Sequence, residues 1–134
     1  MIAHITGTNI HGSVAVEQLT IGISFAGRIT GLNPNSKHAM HVHEGTSCSG
    51  EHMEGACAHF NPTNQQHPYH AGDLPNLVTD ASGTATFAFH TTNMSLEGPN
   101  SCAGRAIVIH ANADDYKTDP SGNSGARIAC GIIQ

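Results

Sequence analysis

Apolar residues in this chain recur at every second position. Nowhere do they hold the three-and-four spacing of a helix over ten residues. Val14 and Val16 flank Ala15. Ile21, Ile23 and Phe25 alternate with Gly22 and Ser24, and Phe87 and Phe89 with Thr86 and Ala88. Successive strand side chains point to opposite faces, so a period of two marks strands with one buried face. Ile107-Val108-Ile109 and the run 128–133 are apolar stretches of strand length. Turn-forming residues lie between them, at 9–12, 31–35, 80–83 and 120–123. The pattern predicts an all-β Greek-key sandwich or barrel of about eight antiparallel strands. Two stretches, roughly 44–76 and 112–127, carry no such pattern. Loops of that length in a compact domain are usually functional.

The 134 residues suit one domain spanning 1–134. Five Lys and Arg against ten Asp and Glu leave a net charge of −5, which argues against nucleic acid as a partner. No apolar run approaches the ~20 residues of a membrane span. The first residues, Met1 to Gly7, lack the basic-then-apolar layout of a signal peptide and read directly into a strand. Four cysteines, Cys48, Cys57, Cys102 and Cys130, include no C-x-x-C pair. That favours disulfides and an extracellular or other oxidising compartment, with four thiols in a cytoplasmic protein as the alternative.

The chemistry is concentrated between His41 and Asp73, in His41-Val42-His43-Glu44, His59, His67, His70 and Asp73. Neutral imidazole leaves one nitrogen free to coordinate a metal. His41 and His43, two residues apart on a strand, project from one face and can grip one ion. His110 ends another strand and can reach the same ion. His67, His70 and Asp73 lie three apart, a spacing a folded loop can wrap around a cation. With His59 they make three nitrogens and one oxygen, the habit of structural zinc. His59 stands between the groups, with two ring nitrogens to serve two metals. Of the remaining histidines, His4, His11 and His90 are expected to face solvent, and His52 to offer at most a weak surface site.

Taken together, several segments resemble the copper/zinc superoxide dismutase family. They are His38-Ala-Met-His-Val-His-Glu44, His59-Phe-Asn-Pro62, His70-Ala-Gly-Asp-Leu74, Gly104-Arg-Ala-Ile-Val-Ile-His110, Ala113-Asp-Asp115 and Gly122-Asn-Ser-Gly-Ala-Arg-Ile-Ala-Cys-Gly131. The resemblance implies copper held by His41, His43, His59 and His110, and zinc held by His59, His67, His70 and Asp73, with His59 bridging. It implies that Asp114 accepts hydrogen bonds from His41 and His67, that Arg127 attracts and orients superoxide, and that His38 packs beneath the copper site. The implied activity converts superoxide to dioxygen and hydrogen peroxide by Cu(II)/Cu(I) cycling, with His59 taking up a proton on reduction. A metal-binding or storage domain of the same fold, or one unit of a larger secreted repeat protein, is the alternative. The family's C-terminal-strand cysteine matches Cys130 and pairs it with Cys48, which leaves Cys57–Cys102 as an additional bridge. A homodimer is expected from the family's habit. The second loop is shorter than in the animal cytosolic enzymes, and their steering lysines have no clear match.

Overall fold

Alternation builds the longest strands of the computed structural model, which describes residues 1–134. In chain order they are β1 (Ile2–Gly7), β2 (Ile10–Gln18), β3 (Ile23–Thr30), β4 (Lys37–His38), β5 (Met40–Val42), β6 (Leu77–Val78), β7 (Ala85–Thr91), β8 (Ala106–His110) and β9 (Arg127–Ile132). The only helical turn is a 3-10 segment, Glu54–Ala56. Val14, Val16, Ile23, Phe25 and Ile29 are fully buried on β2 and β3, as their spacing requires. Ile21 departs from the expected alternation: it lies in the β2–β3 turn and is 71% exposed.

Seven strands form one antiparallel sheet in the order β5-β8-β9-β1-β2-β3-β7. The chain crosses from β3 to β5 at the far edge, returns to β7 beside β3, and crosses again to β8. The remaining pair, β4 and β6, closes the barrel. β4 runs into the edge strand β5, β6 turns back through residues 80–83 into the edge strand β7, and Lys37–His38 pair with Leu77–Val78. Two of the nine strands are thus two-residue closures, too short to leave a periodic trace in the sequence.

The main core lies inside the barrel and includes Ile5, Phe25, Ile29, Met40, Val42, Leu77, Ile107 and Ile109. A smaller apolar layer lies outside the wall, where Ala56, Ala106, Val108 and Cys130 pack with Cys48 and Met53 beneath the first long loop. β8 is therefore covered on both sides, and all five of its residues are buried. This explains its unbroken apolar run, since a strand without a wet face has no polar positions to alternate.

Candidate metal centre

The metal-facing side of the wall is its outer side. Met40 and Val42 of β5 point into the core, so His41, opposite Val108, and His43 just beyond the strand point outward. A register shift at the end of β8 lies between Ile109 and His110. The loop then folds back along β5. Val42 N–H donates to Gly72 O, Gly72 N–H to Phe60 O, and Phe60 N–H to Val42 O, each at 2.9 Å. These three bonds bring His59 and Asp73 against His43 and His41, their bridge partners. Gly72 is required for that approach, because a Cβ there would lie 2.1 Å from Val42 O. Arg105 braces the same turn, with its guanidinium 4.2 Å from the centre of the Phe60 ring and Nη1 donating to Glu44 O at 2.7 Å.

Two sets of donor atoms result. One atom each from His41, His43, His59 and His110 lies within 4.8 Å of the others, and so does one each from His59, His67, His70 and Asp73. His59 belongs to both, and all six histidines are buried. Five of the six rings, all but that of His70, are held by one nitrogen. His41 Nε2 pairs with Asp114 Oδ2 at 2.8 Å and His67 Nε2 with Asp114 Oδ1 at 2.7 Å. His43 Nδ1 pairs with Cys57 O at 2.9 Å and His110 Nδ1 with Gly125 O at 3.3 Å. His59 Nδ1 pairs with Asp73 Oδ1 at 2.7 Å. Left without a hydrogen bond are His41 Nδ1, His43 Nε2, His59 Nε2, His67 Nδ1, His70 Nδ1 and His110 Nε2. Asp73 Oδ2 stands 3.0 Å from both His67 Nδ1 and His70 Nδ1.

Each buried polar atom without a partner costs about 1–3 kcal/mol. Six such atoms converging on two points fit two cations rather than packing. Imidazole and carboxylate suit copper and zinc alike. The electrostatics agree. Burial drives His43 down to about 2 and His110 down to about 3, so both rings are neutral. Burial also lowers His41, against the opposing bond to Asp114. For Asp114 and Asp73 burial works the other way, yet both carboxyls sit below their ordinary range, because hydrogen bonds from His41 and His67, and from His59, outweigh it. Lone pairs and carboxylates are therefore ready for a metal at neutral pH.

A cleft of about 590 Å³ opens over this cluster, lined by His43, His59 and His110, by Pro120 and Ser121 of the second loop, and by Arg127. Arg127 Nη1 donates to Met53 O at 2.8 Å and Nη2 to Cys57 O. The first loop thus fixes the guanidinium at the mouth.

Residues 10–133 match the family model described as copper/zinc superoxide dismutase (SODC). The chain belongs to the copper/zinc superoxide dismutase family. Among its relatives, "Superoxide dismutase [Cu-Zn] 2" of Mesembryanthemum crystallinum is 40% identical over 98% of this chain and 92% of its own length. The protein of that name from Aquifex aeolicus is 36% identical over 96% of this chain and 82% of its own. The fold is that of a double mutant of a SOD-like protein from Bacillus subtilis, with a TM-score of 0.92, 32% identity, and coverage of 98% of this chain and 95% of that one.

Within the dismutase frame the cysteine expectations divide. Cys48 and Cys130 form a disulfide, with Cα atoms 5.9 Å apart. The expected Cys57–Cys102 bridge is not made, and both are free thiols. Cys102 is sealed in the core, where burial raises its thiol to about 11, while Cys57 faces solvent and directs its sulfur at Gly55 O. His38 is buried, with Nδ1 2.9 Å from His110 O, and His4, His11, His52 and His90 are exposed. Sequence reasoning missed Asn76, which clamps Asp114 from both sides. Asp114 N–H donates to its Oδ1 at 2.8 Å, and its Nδ2 donates to Asp114 O at 3.0 Å. It also missed Gly122, where a Cβ would lie 1.9 Å from Asp114 Oδ1 and break the contact with His67. Neither residue type is a ligand, so nothing in the ligand spacing singles them out.

Proposed function

We propose that this dismutase-family protein is an active superoxide dismutase, converting superoxide to dioxygen and hydrogen peroxide. The observation that carries the reading is the pair of donor sets sharing His59 beneath a cleft whose mouth holds Arg127. In this reading His41, His43, His59 and His110 hold copper, and His59, His67, His70 and Asp73 hold zinc. Copper, when bound, supplies the one-electron exchange that zinc cannot.

The chain supplies the rest. Arg127 attracts the anion, and its guanidinium keeps its charge throughout the neutral range. The carbonyls of Met53 and Cys57 aim it. Asp114 accepts from Nε2 of His41 and His67, which keeps Nδ1 of both rings as the lone pair that ligates. His59 holds one proton at Nε2 during one half of the cycle and gives it to the departing peroxide, whose second proton comes from water, while its Nδ1 faces Asp73 within the zinc set. The Cys48–Cys130 bridge fits an oxidising compartment. A homodimer is the assembly proposed, and a light-scattering mass tests it.

Metal analysis with a dismutation assay decides the reading. One copper and one zinc per chain, with rapid dismutation, are expected; copper-loaded protein that leaves superoxide unconsumed overturns it. A metal-storage domain is the second reading. It draws on the B. subtilis relative, which is described only as SOD-like, and it requires metal uptake without turnover.

A further inference from the structure

The second long loop carries three acidic residues, and each is used differently. Asp114 is buried between His41 and His67. Asp115 closes its own turn, accepting from the N–H groups of Lys117 and Thr118 and from the Thr118 hydroxyl. Asp119, like Asp114, reaches out of its loop, but to a backbone N–H. Its Oδ1 accepts the N–H of His67 at 2.8 Å, across 52 residues of sequence, and the same oxygen stands 3.8 Å from His70 Nε2.

His70 turns Nδ1 toward Asp73 Oδ2 at 3.0 Å. A neutral imidazole that offers Nδ1 to a cation carries its proton on Nε2. A ligating histidine ordinarily donates that second N–H to a carboxylate or carbonyl, which orients the ring and raises its basicity. His41 and His67 have Asp114 for this, His43 has Cys57 O, and His110 has Gly125 O. For His70 Nε2 the carboxylate at hand is Asp119.

We infer that Asp119 is a positioning carboxylate for the zinc site. It orients His70 through Nε2 and pins His67 through its backbone N–H, so that the second loop helps to retain a metal held by the first. This rests on the zinc assignment made above. Asp119 is 55% exposed, so its charge acts from the rim and salt weakens it.

The test is zinc affinity, measured by chelator competition on the full chain for wild type, Asp119→Asn and Asp119→Ala. Asn keeps an oxygen for the His67 N–H but removes the charge. Asp119→Asn is expected to weaken zinc binding about ten-fold, to leave the melting temperature of the metal-free protein unchanged, and to differ less from wild type as salt is raised. Asp119→Ala is expected to weaken binding at least as much and also to lower that melting temperature. Wild-type affinity in Asp119→Asn overturns the inference, as does a fall in its metal-free melting temperature matching that of Asp119→Ala. Wild-type protein that takes up no zinc overturns the site assignment beneath it.

Discussion

In the proposed reaction, substrate capture turns on Arg127. It is the one cation lining the cleft, and its position is set by two loop carbonyls. Local positive charge at the mouth of a site raises encounter rates by about ten-fold to a thousand-fold. Arg127→Ala is expected to lower kcat/KM for superoxide by at least about ten-fold, with copper and zinc content intact; undiminished kcat/KM in that variant excludes the role. His43 and His110 set a second expectation. Both titrate near 6.5 when unfolded but only near 2 and 3 in the fold, where burial keeps them neutral. Below about pH 6.5 the unfolded chain therefore binds more protons than the native one, and stability falls with pH until the folded values are reached. Calorimetry of the metal-free protein should show a melting temperature that drops steadily from pH 7 to pH 4; a flat profile contradicts it. The donors themselves were legible, because ligand chemistry restricts them to a few residue types at short spacing. Asn76 and Asp119 were not, because their partners lie tens of residues away, and Gly122 was not, because it acts only by leaving room for the Asp114–His67 contact.

At the scale of elements, the centre is a loop folded against a strand pair. β8 was readable from its apolar run, and at β5 the outward projection of His41 and His43 follows from their two-residue spacing. The path of the first loop was not readable. It depends on the three bonds among Val42, Phe60 and Gly72 and on the apolar layer of Ala56, Val108 and Cys130 beneath it. The Cys48–Cys130 bridge fastens that layer across 82 residues of sequence. Cys48→Ser is expected to cost about 4 kcal/mol in denaturant unfolding, on the chain-entropy account. It should also lower kcat/KM, because the carbonyls that aim Arg127 belong to the same loop. A variant that loses stability but keeps full kcat/KM separates the bridge from substrate capture.

The whole molecule carries a net charge of −5, and the proposed activity requires it to attract an anion. Its overall field opposes that task, which the proposed function gives to Arg127 and the metal centre. Screening over a Debye length of about 8 Å at physiological salt reaches both contributions, but the near attraction governs capture. The rate constant for dismutation is expected to fall as ionic strength rises, and to flatten in Arg127→Gln. A rate that climbs with salt in the native protein reverses that assignment. Barrel closure by β4 and β6 was invisible in the sequence because two residues hold no period, although the barrel as a class was evident from strand count and turns. The histidines hang on the outside of a wall whose inside is sealed hydrocarbon, and this bears on chemical wear. Peroxide formed at the proposed site would leave on the loop side, with the wall between it and the thioethers of Met40 and Met94, which are 0% and 2% exposed. Met53 lies outside the wall, half-buried in the first loop's apolar layer, and its own carbonyl accepts from Arg127. Peptide mapping after prolonged turnover should find sulfoxide at Met53 before Met40 or Met94, so that, among the methionines of the fold's interior, wear would begin at the residue whose carbonyl holds Arg127.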